Sequence, residues 1–264
     1  MLKKRLTGAV TVKNGLVVQS FGYDRYLPVG KPRVVVENLD RWGVDEIFIQ
    51  VIDRSSYNLG PDIGLIEDIS SSGILTPIMY AGGITNENQA AQVIKSGVER
   101  ICIDGLLHSN ACEVKKIANR LGAQAVVGSI PVGIEKNGDS YWYNYQTKSK
   151  CFLNQDIISL INDGLISELL LIDWKNEGHE EAFDFRILKL VENYNIPLIL
   201  FGGLTSEKVL QKAFDTPSVV AAAIGNKLNY SEHAVQKLKN NLATSPIRAA
   251  YYHDRSIFKH YDWN

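Results

Sequence analysis

Cysteine is scarce in this 264-residue sequence: Cys102, Cys112 and Cys151 are scattered, and no two form a Cys-x-x-Cys pair. An odd, dispersed set excludes a disulfide framework and a structural zinc centre as the organising element. Cys102, inside the apolar run Arg-Ile-Cys-Ile, reads as a small buried side chain. Neither sign of charge is in excess, since 28 basic and 29 acidic residues leave a net charge of −1. No broad field is therefore available to hold nucleic acid or a membrane surface. Uninterrupted apolar runs stay well short of the roughly 18 residues a membrane span requires. The opening segment MLKKRLTGAV is basic without an apolar core, unlike a secretory signal, so a cytoplasmic protein is expected. Of the five histidines, His233, His253 and His260 fall in or beyond the last expected helix. No Ser-His-Asp or Cys-His arrangement, metal site or cofactor is indicated.

What the sequence does have is alternation. Hydrophobic residues make up 45%, enough for one closed core, and the length matches the roughly 250 residues of a single α/β barrel. Strand-like apolar runs occur at Leu6–Val12, Glu46–Ile52, Pro77–Tyr80, Arg100–Ile103, Gln124–Ile130, Glu168–Ile172, Pro197–Phe201 and Val219–Ala223. Between them, Pro32–Trp42, Asn86–Ser96, Ala111–Leu121, Asn154–Asp163, Phe183–Tyr194 and Ser206–Phe214 carry apolar residues at helical spacing. Strands that are apolar on both faces and separated by helices imply a parallel sheet with right-handed crossovers. A (β/α)₈ TIM barrel is predicted, with a doubly wound open sheet as the competitor.

The two halves echo each other. Tyr80-Ala-Gly-Gly-Ile-Thr in the first answers Phe201-Gly-Gly-Leu-Thr in the second, and Ile52-Asp53 answers Ile172-Asp173. Matching punctuation about 120 residues apart points to a half-barrel duplication, which favours closure into eight strands. The segment 133–147 (GIEKNGDSYWYNYQT) carries an Asn-Gly turn between strand formers and predicts a β-hairpin inserted after strand five. A barrel over residues 1–243, with its last helix at Ser231–Leu242, is expected to be followed by an aromatic-rich extension over 244–264.

In such barrels the C-terminal ends of the strands form the active face. Gly82-Gly83 and Gly202-Gly203 fall there, with Gly105 and Gly225 just past strands four and eight. A glycine pair lets backbone N–H groups approach a phosphate, although a tight turn uses the same residues. Two pairs at equivalent places suit a small ligand with a phosphate at each end. Asp53, Asp104 and Asp173 also stand at strand ends, where each can orient a hydroxyl, act as a base, or simply cap a loop. At the opposite ends, Arg5, Glu46, Arg100 and Glu168 alternate in sign and can close the barrel floor, or merely cap the polar end of a core.

Residues 2–18 (LKKRLTGAVTVKNGLVV), the segment 38–46 (NLDRWGVDE) and the two Gly-Gly turns resemble the HisF family, the cyclase subunit of imidazole glycerol phosphate synthase. The likeness covers residues 1–243. The loop Tyr26-Leu-Pro-Val-Gly-Lys-Pro and the turn Asp40-Arg-Trp-Gly are most similar to the HisF-like branch associated with surface-polysaccharide sugar amidotransferases. The resemblance implies a HisH-like glutaminase partner and ammonia entering through a gate at Arg5, Glu46, Arg100 (where the family usually has Lys) and Glu168, with Glu99 facing the partner. It further implies a sugar amidotransferase as the third protein and a phosphorylated ligand on the glycine turns. The family's acid–base aspartates fall on Thr11 and Pro131 here, and neither residue can exchange a proton near neutrality. An ammonia-delivering subunit is expected. The alternatives are an authentic cyclase using Asp53 and Asp173, and a non-catalytic sugar-phosphate-binding scaffold.

Overall fold

The computed structural model describes residues 3–145, 147–153, 155–229, 234–242 and 246–249. The chain begins with β1 (Arg5–Lys13), a hairpin of β2 (Leu16–Phe21) and β3 (Arg25–Gly30), and helix α1 (Pro32–Trp42). Strand β4 (Glu46–Val51) leads into the short helix α2 (Ile52–Ser56) and then α3 (Ile63–Ser70), β5 (Ile78–Ala81) and α4 (Glu87–Lys95). Next come β6 (Arg100–Ile103), α5 (Gly105–Ser109), α6 (Ala111–Leu121), β7 (Val126–Ile134), β8 (Ser140–Asn144), β9 (Ser149–Cys151) and α7 (Gln155–Asn162). The final elements are β10 (Glu168–Asp173), β11 (Leu198–Phe201), α8 (Glu207–Asp215), β12 (Val219–Ile224) and α9 (Ala234–Asn241).

Parallel pairing runs β1–β4–β5–β6–β7–β10–β11–β12 and back to β1, closing an eight-stranded barrel. Closure removes both sheet edges. Side chains alternate across each strand, so the core divides in two. The outward set packs against the helices in one continuous cluster. The inward set, including Ala9, Phe48, Met79, Cys102, Val127 and Leu170, fills the bore. Helix α9 clasps the ends together: buried Lys239 donates to Gly43 O at 2.9 Å and pairs with Asp45 at 2.8 Å, while Asp45 also accepts from Leu6 N.

Three expectations need correction. The stretch Phe183–Tyr194 is not an α-helix; it forms a 3₁₀ turn over Phe185–Leu190, with Ile187 N donating to Asp184 O and Val191 N to Leu188 O. Its apolar residues Phe185, Leu188 and Val191 recur every third position, the 3₁₀ period. Strand five begins at Val126, because Ala123–Ala125 forms a 3₁₀ turn, and it continues past Pro131 to Ile134. Proline is tolerated there because β6 pairs only as far as Gly128, leaving that side of β7 without a ladder at Pro131. The hairpin after strand five therefore uses the end of β7 itself, antiparallel to β8, and β9 adds a third strand. The β2–β3 hairpin after strand one and the helices α2, α3 and α5 were not anticipated from the sequence. The helix expected at Ser231–Leu242 is α9; residues 231–233 lie outside the described set, as does most of the 244–264 extension. Within that extension, Ile247 is buried and bridges to Lys4 beside the start of β1.

Candidate functional site

The bore has two differently built ends. At the strand N-termini, inward-facing residues of four strands meet as a closed ring of alternating charge. Arg5 donates to both Glu168 carboxylate oxygens at 2.9 and 2.5 Å. Arg100 spans the ring, donating to Glu46 at 2.9 and 2.6 Å and to Glu168 at 2.8 Å. A longer Arg5–Glu46 contact of 3.7 Å completes it, and Thr7 Oγ1 donates to Glu46 at 3.4 Å. Burial alone would raise the Glu168 carboxyl, yet the two guanidinium groups outweigh it and hold the group below its ordinary range. Burial likewise works against the Arg100 charge, and Glu46 and Glu168 more than restore it. Glu99 is exposed beside this ring, its carboxylate accepting from Ile78 N at 2.6 Å.

One short stretch links this ring to the other end. Along β6 and the residue just past it, alternate positions place Arg100 in the ring, Cys102 in the apolar bore and Asp104 at the mouth. Burial pushes the Cys102 thiol far up, so it stays neutral.

The C-terminal mouth opens into a cavity of about 1170 Å³. Two hairpins, one following strand one and the other following strand five, contribute Tyr23, Tyr26, Tyr143 and Tyr145 to its walls, and Trp174 adds a further ring. Tyr143 and Trp174 stack at 4.1 Å between centroids. At the first family acid–base position, Thr11 accepts from Gln50 Nε2 at 2.7 Å, and Gln50 Oε1 accepts from Tyr23 at 3.0 Å. This neutral chain has no group that exchanges protons near pH 7, because burial pushes the Tyr23 hydroxyl well above its ordinary value. Pro131, the second position, lines the same cavity.

The three strand-end aspartates behave differently. Asp173 is buried and committed to its loop, accepting from Asn176 Nδ2 and Asp184 N, both at 2.8 Å. Asp53 lines the cavity, but its Oδ2 accepts from Asn14 N at 2.6 Å. Asp104 lines the cavity with Oδ1 closed to solvent and without a hydrogen-bond partner, and burial pushes its carboxyl well up. It does not cap α5.

The glycine turns are split between two spaces. Gly82, Gly83 and Gly105 line the large cavity. Gly202, Gly203 and Gly225 line a separate recess of about 20 Å³, together with Glu177 and Lys227. Between them the tip of the β2–β3 hairpin is locked down: Glu177 accepts from Ser20 Oγ at 2.8 Å and Tyr23 N at 3.4 Å, while Asn226 exchanges two hydrogen bonds with the Ser20 backbone. Sequence reasoning did not single out Gln50, Tyr23, Trp174 or Glu177. The available signal was the tyrosine load of the segment YWYNY; nothing local showed which rings face the mouth.

Comparisons with known proteins agree with this architecture. A family model described as histidine biosynthesis protein matches residues 5–234. A Vibrio vulnificus protein carried under the name imidazole glycerol phosphate synthase subunit hisF2 is 26% identical over 251 residues, 94% of this chain and 91% of its own length. The imidazole glycerol phosphate synthase subunits HisF of Dictyoglomus thermophilum and Thermococcus onnurineus are each 27% identical, covering 90% and 95% of this chain and 95% and 100% of their own. With eight closed parallel strands and a family match along nearly the whole barrel, the chain belongs to the histidine biosynthesis protein family, as a member of its HisF group.

Proposed function

We propose that this chain is the ammonia-delivering subunit of a glutamine amidotransferase and does not itself cyclise. The observation that carries the reading is the contrast between the ends of one bore. The charged ring of Arg5, Glu46, Arg100 and Glu168 is complete, whereas Thr11 and Pro131 stand where acid–base groups would be needed. Loss of a positioned acid or base costs about 10²–10⁴-fold. A HisH-like glutaminase docks on the ring face, with Glu99 beside it. Ammonia crosses as neutral NH₃, because ammonium is costly to strip of water in an apolar bore, and Arg100 must release one glutamate to let it pass. The acceptor is a sugar held by a sugar amidotransferase in cytoplasmic surface-polysaccharide synthesis, and a phosphorylated effector binds at Gly83 and Gly203 and signals to the glutaminase.

Mixing the purified chain with its glutaminase and measuring glutamine hydrolysis tests this directly. Complex formation and stimulated hydrolysis are expected, with the double substitution Glu46→Gln and Glu168→Gln impairing transfer of ammonia through the bore. Absence of both complex and stimulation would overturn the proposal. The names of the relatives favour a second reading, an imidazole glycerol phosphate synthase cyclase. Rescue of a histidine auxotroph lacking its cyclase would establish that reading instead.

A further inference from the structure

The last described residues fix where the C-terminal extension leaves the barrel. Lys4 N donates to Pro246 O at 2.7 Å, and Arg248 N donates to Lys4 O at 3.3 Å. This parallel pairing seats Ile247 in the outer core cluster. The buried Lys4 side chain anchors the other way, its ammonium donating to Phe214 O and, at 2.9 Å, to Thr216 O. Arg5, the next residue, belongs to the charged ring. Residues 250–264 therefore start from the floor of the barrel, beside the ring, and not from the mouth. Their sequence, AYYHDRSIFKHYDWN, holds five aromatics in fifteen residues (Tyr251, Tyr252, Phe258, Tyr261 and Trp263), against 9% in the whole chain. The charges of Asp254, Arg255, Lys259 and Asp262 cancel. Fifteen residues are too few to build a core of their own, so the rings need a surface from elsewhere. The floor supplies little. Of the large apolar side chains that stand exposed among the described residues, only Leu75 lies there, in the turn leading into β5. The others follow strands on the side of the mouth.

We infer that residues 250–264 are a docking arm for the glutaminase, an addition to the ring-face interface whose aromatic side chains enter an apolar groove of that partner. The inference deepens the proposed function and rests on its placing the glutaminase on this face. Five aromatic side chains can bury on the order of 750–1250 Å², about as much as one side of a standard interface, roughly 800 Å². Fully extended, fifteen residues reach about 50 Å, enough to cross the floor and continue along a docked protein. Tyrosine, tryptophan and phenylalanine are also the residue types that anchor interfaces, since each covers a large area for few frozen rotamers. With its charges balanced, the arm adds no long-range steering. Its contribution falls on how slowly the complex comes apart.

Binding kinetics with the purified glutaminase test this on three proteins: the full chain, a chain ending at Ala249, and the full-length triple variant Phe258→Ala, Tyr261→Ala, Trp263→Ala. Both variants should melt like the wild type, because the anchor at Pro246–Arg248 is kept. Both are expected to bind the glutaminase about tenfold or more weakly, chiefly through faster dissociation. In the wild type, amide exchange over 250–264 should slow only when the glutaminase is added. Wild-type affinity in either variant overturns the arm and leaves the ring-face complex, and with it the proposed function, intact. Exchange already slow in the free chain also overturns it, in favour of packing on the barrel itself. Slowing that tracks the chain's own concentration does so in favour of a second copy. A wild-type chain that forms no complex with the glutaminase overturns the arm and the proposed function together.

Discussion

Arg5 and Glu168 are 163 residues apart in the chain and face each other through two parallel hydrogen bonds of 2.9 and 2.5 Å. One residue comes from each half of the duplicated barrel, so the pair joins the halves at the floor of the bore. Their side chains keep 19% and 12% of their exposure, enough contact with water to temper the cost of breaking them apart.

Removing Glu168 should leave Arg5 short of its main partner and Arg100 with Glu46 alone. Glu168→Ala is expected to lower unfolding free energy by about 2–4 kcal/mol, less than for a fully buried pair. Urea denaturation with an unchanged m-value would check it. The pH dependence follows from the depressed carboxyl. Its stabilisation is complete above the ordinary value of 4.5 and is lost as pH falls through the lower folded value. Glu168→Ala should therefore lose part of the wild type's acid sensitivity below pH 4.5.

His108 gives a second test of the same sign, in a higher pH window. It stacks on Trp142, and burial lowers its imidazole from 6.5 to about 3. The unfolded chain then holds a proton that the folded chain lacks between those values, so stability falls as pH drops through that window. His108→Phe keeps a ring against Trp142 and removes the titration. Stability measured at pH 8 and pH 5 should show the variant sparing a loss on the order of 1–2 kcal/mol.

Lys239 ties the last described helix to the start of the barrel, with a side chain only 1% exposed and paired with Asp45 at 2.8 Å. Lys239→Met fills similar space without the charge. Asp45 would keep its bond from Leu6 N but lose its cation, at a cost of about 3–5 kcal/mol. Thermal melting should show the drop, and amide exchange should quicken first in α9.

Gly178 has φ +81°, and a Cβ would stand 2.1 Å from Ser20 O. Gly178→Ala should push the β2–β3 hairpin off its seat at a cost above about 2 kcal/mol. Glu177→Ala removes the hydrogen bonds from Ser20 and Tyr23 and should loosen the same hairpin by about 1–3 kcal/mol. Limited proteolysis within residues 20–26 should accelerate in both variants, and an unchanged cleavage rate would refute the latch.

The barrel was legible because its signal is long-range and redundant: eight apolar runs, each followed by punctuation, with the second half repeating the first. The four-residue ring at the floor was legible too, since each member opens a strand. Other features depended on contacts that no local pattern encodes. Leu16–Phe21 and Arg25–Gly30 are mixed sequences whose pairing is settled by where the hairpin lands, on Glu177 and Asn226. Asp53, Asp104 and Asp173 look alike in sequence, each closing a strand. Only their neighbours make one a tether for Asn14, one an organiser of the 173–184 loop, and one an unpartnered group in a cavity.

Strand β6 carries a last consequence. Arg100 and Cys102 on the strand and Asp104 just past its end follow one another up the bore, and at about 3.3 Å per residue the climb from first to last is roughly 13 Å. This short stretch is a ruler laid along the bore. Substitutions at its three marks report in turn on the charged ring, the apolar bore and the mouth cavity, so one short stretch lets the barrel be read level by level.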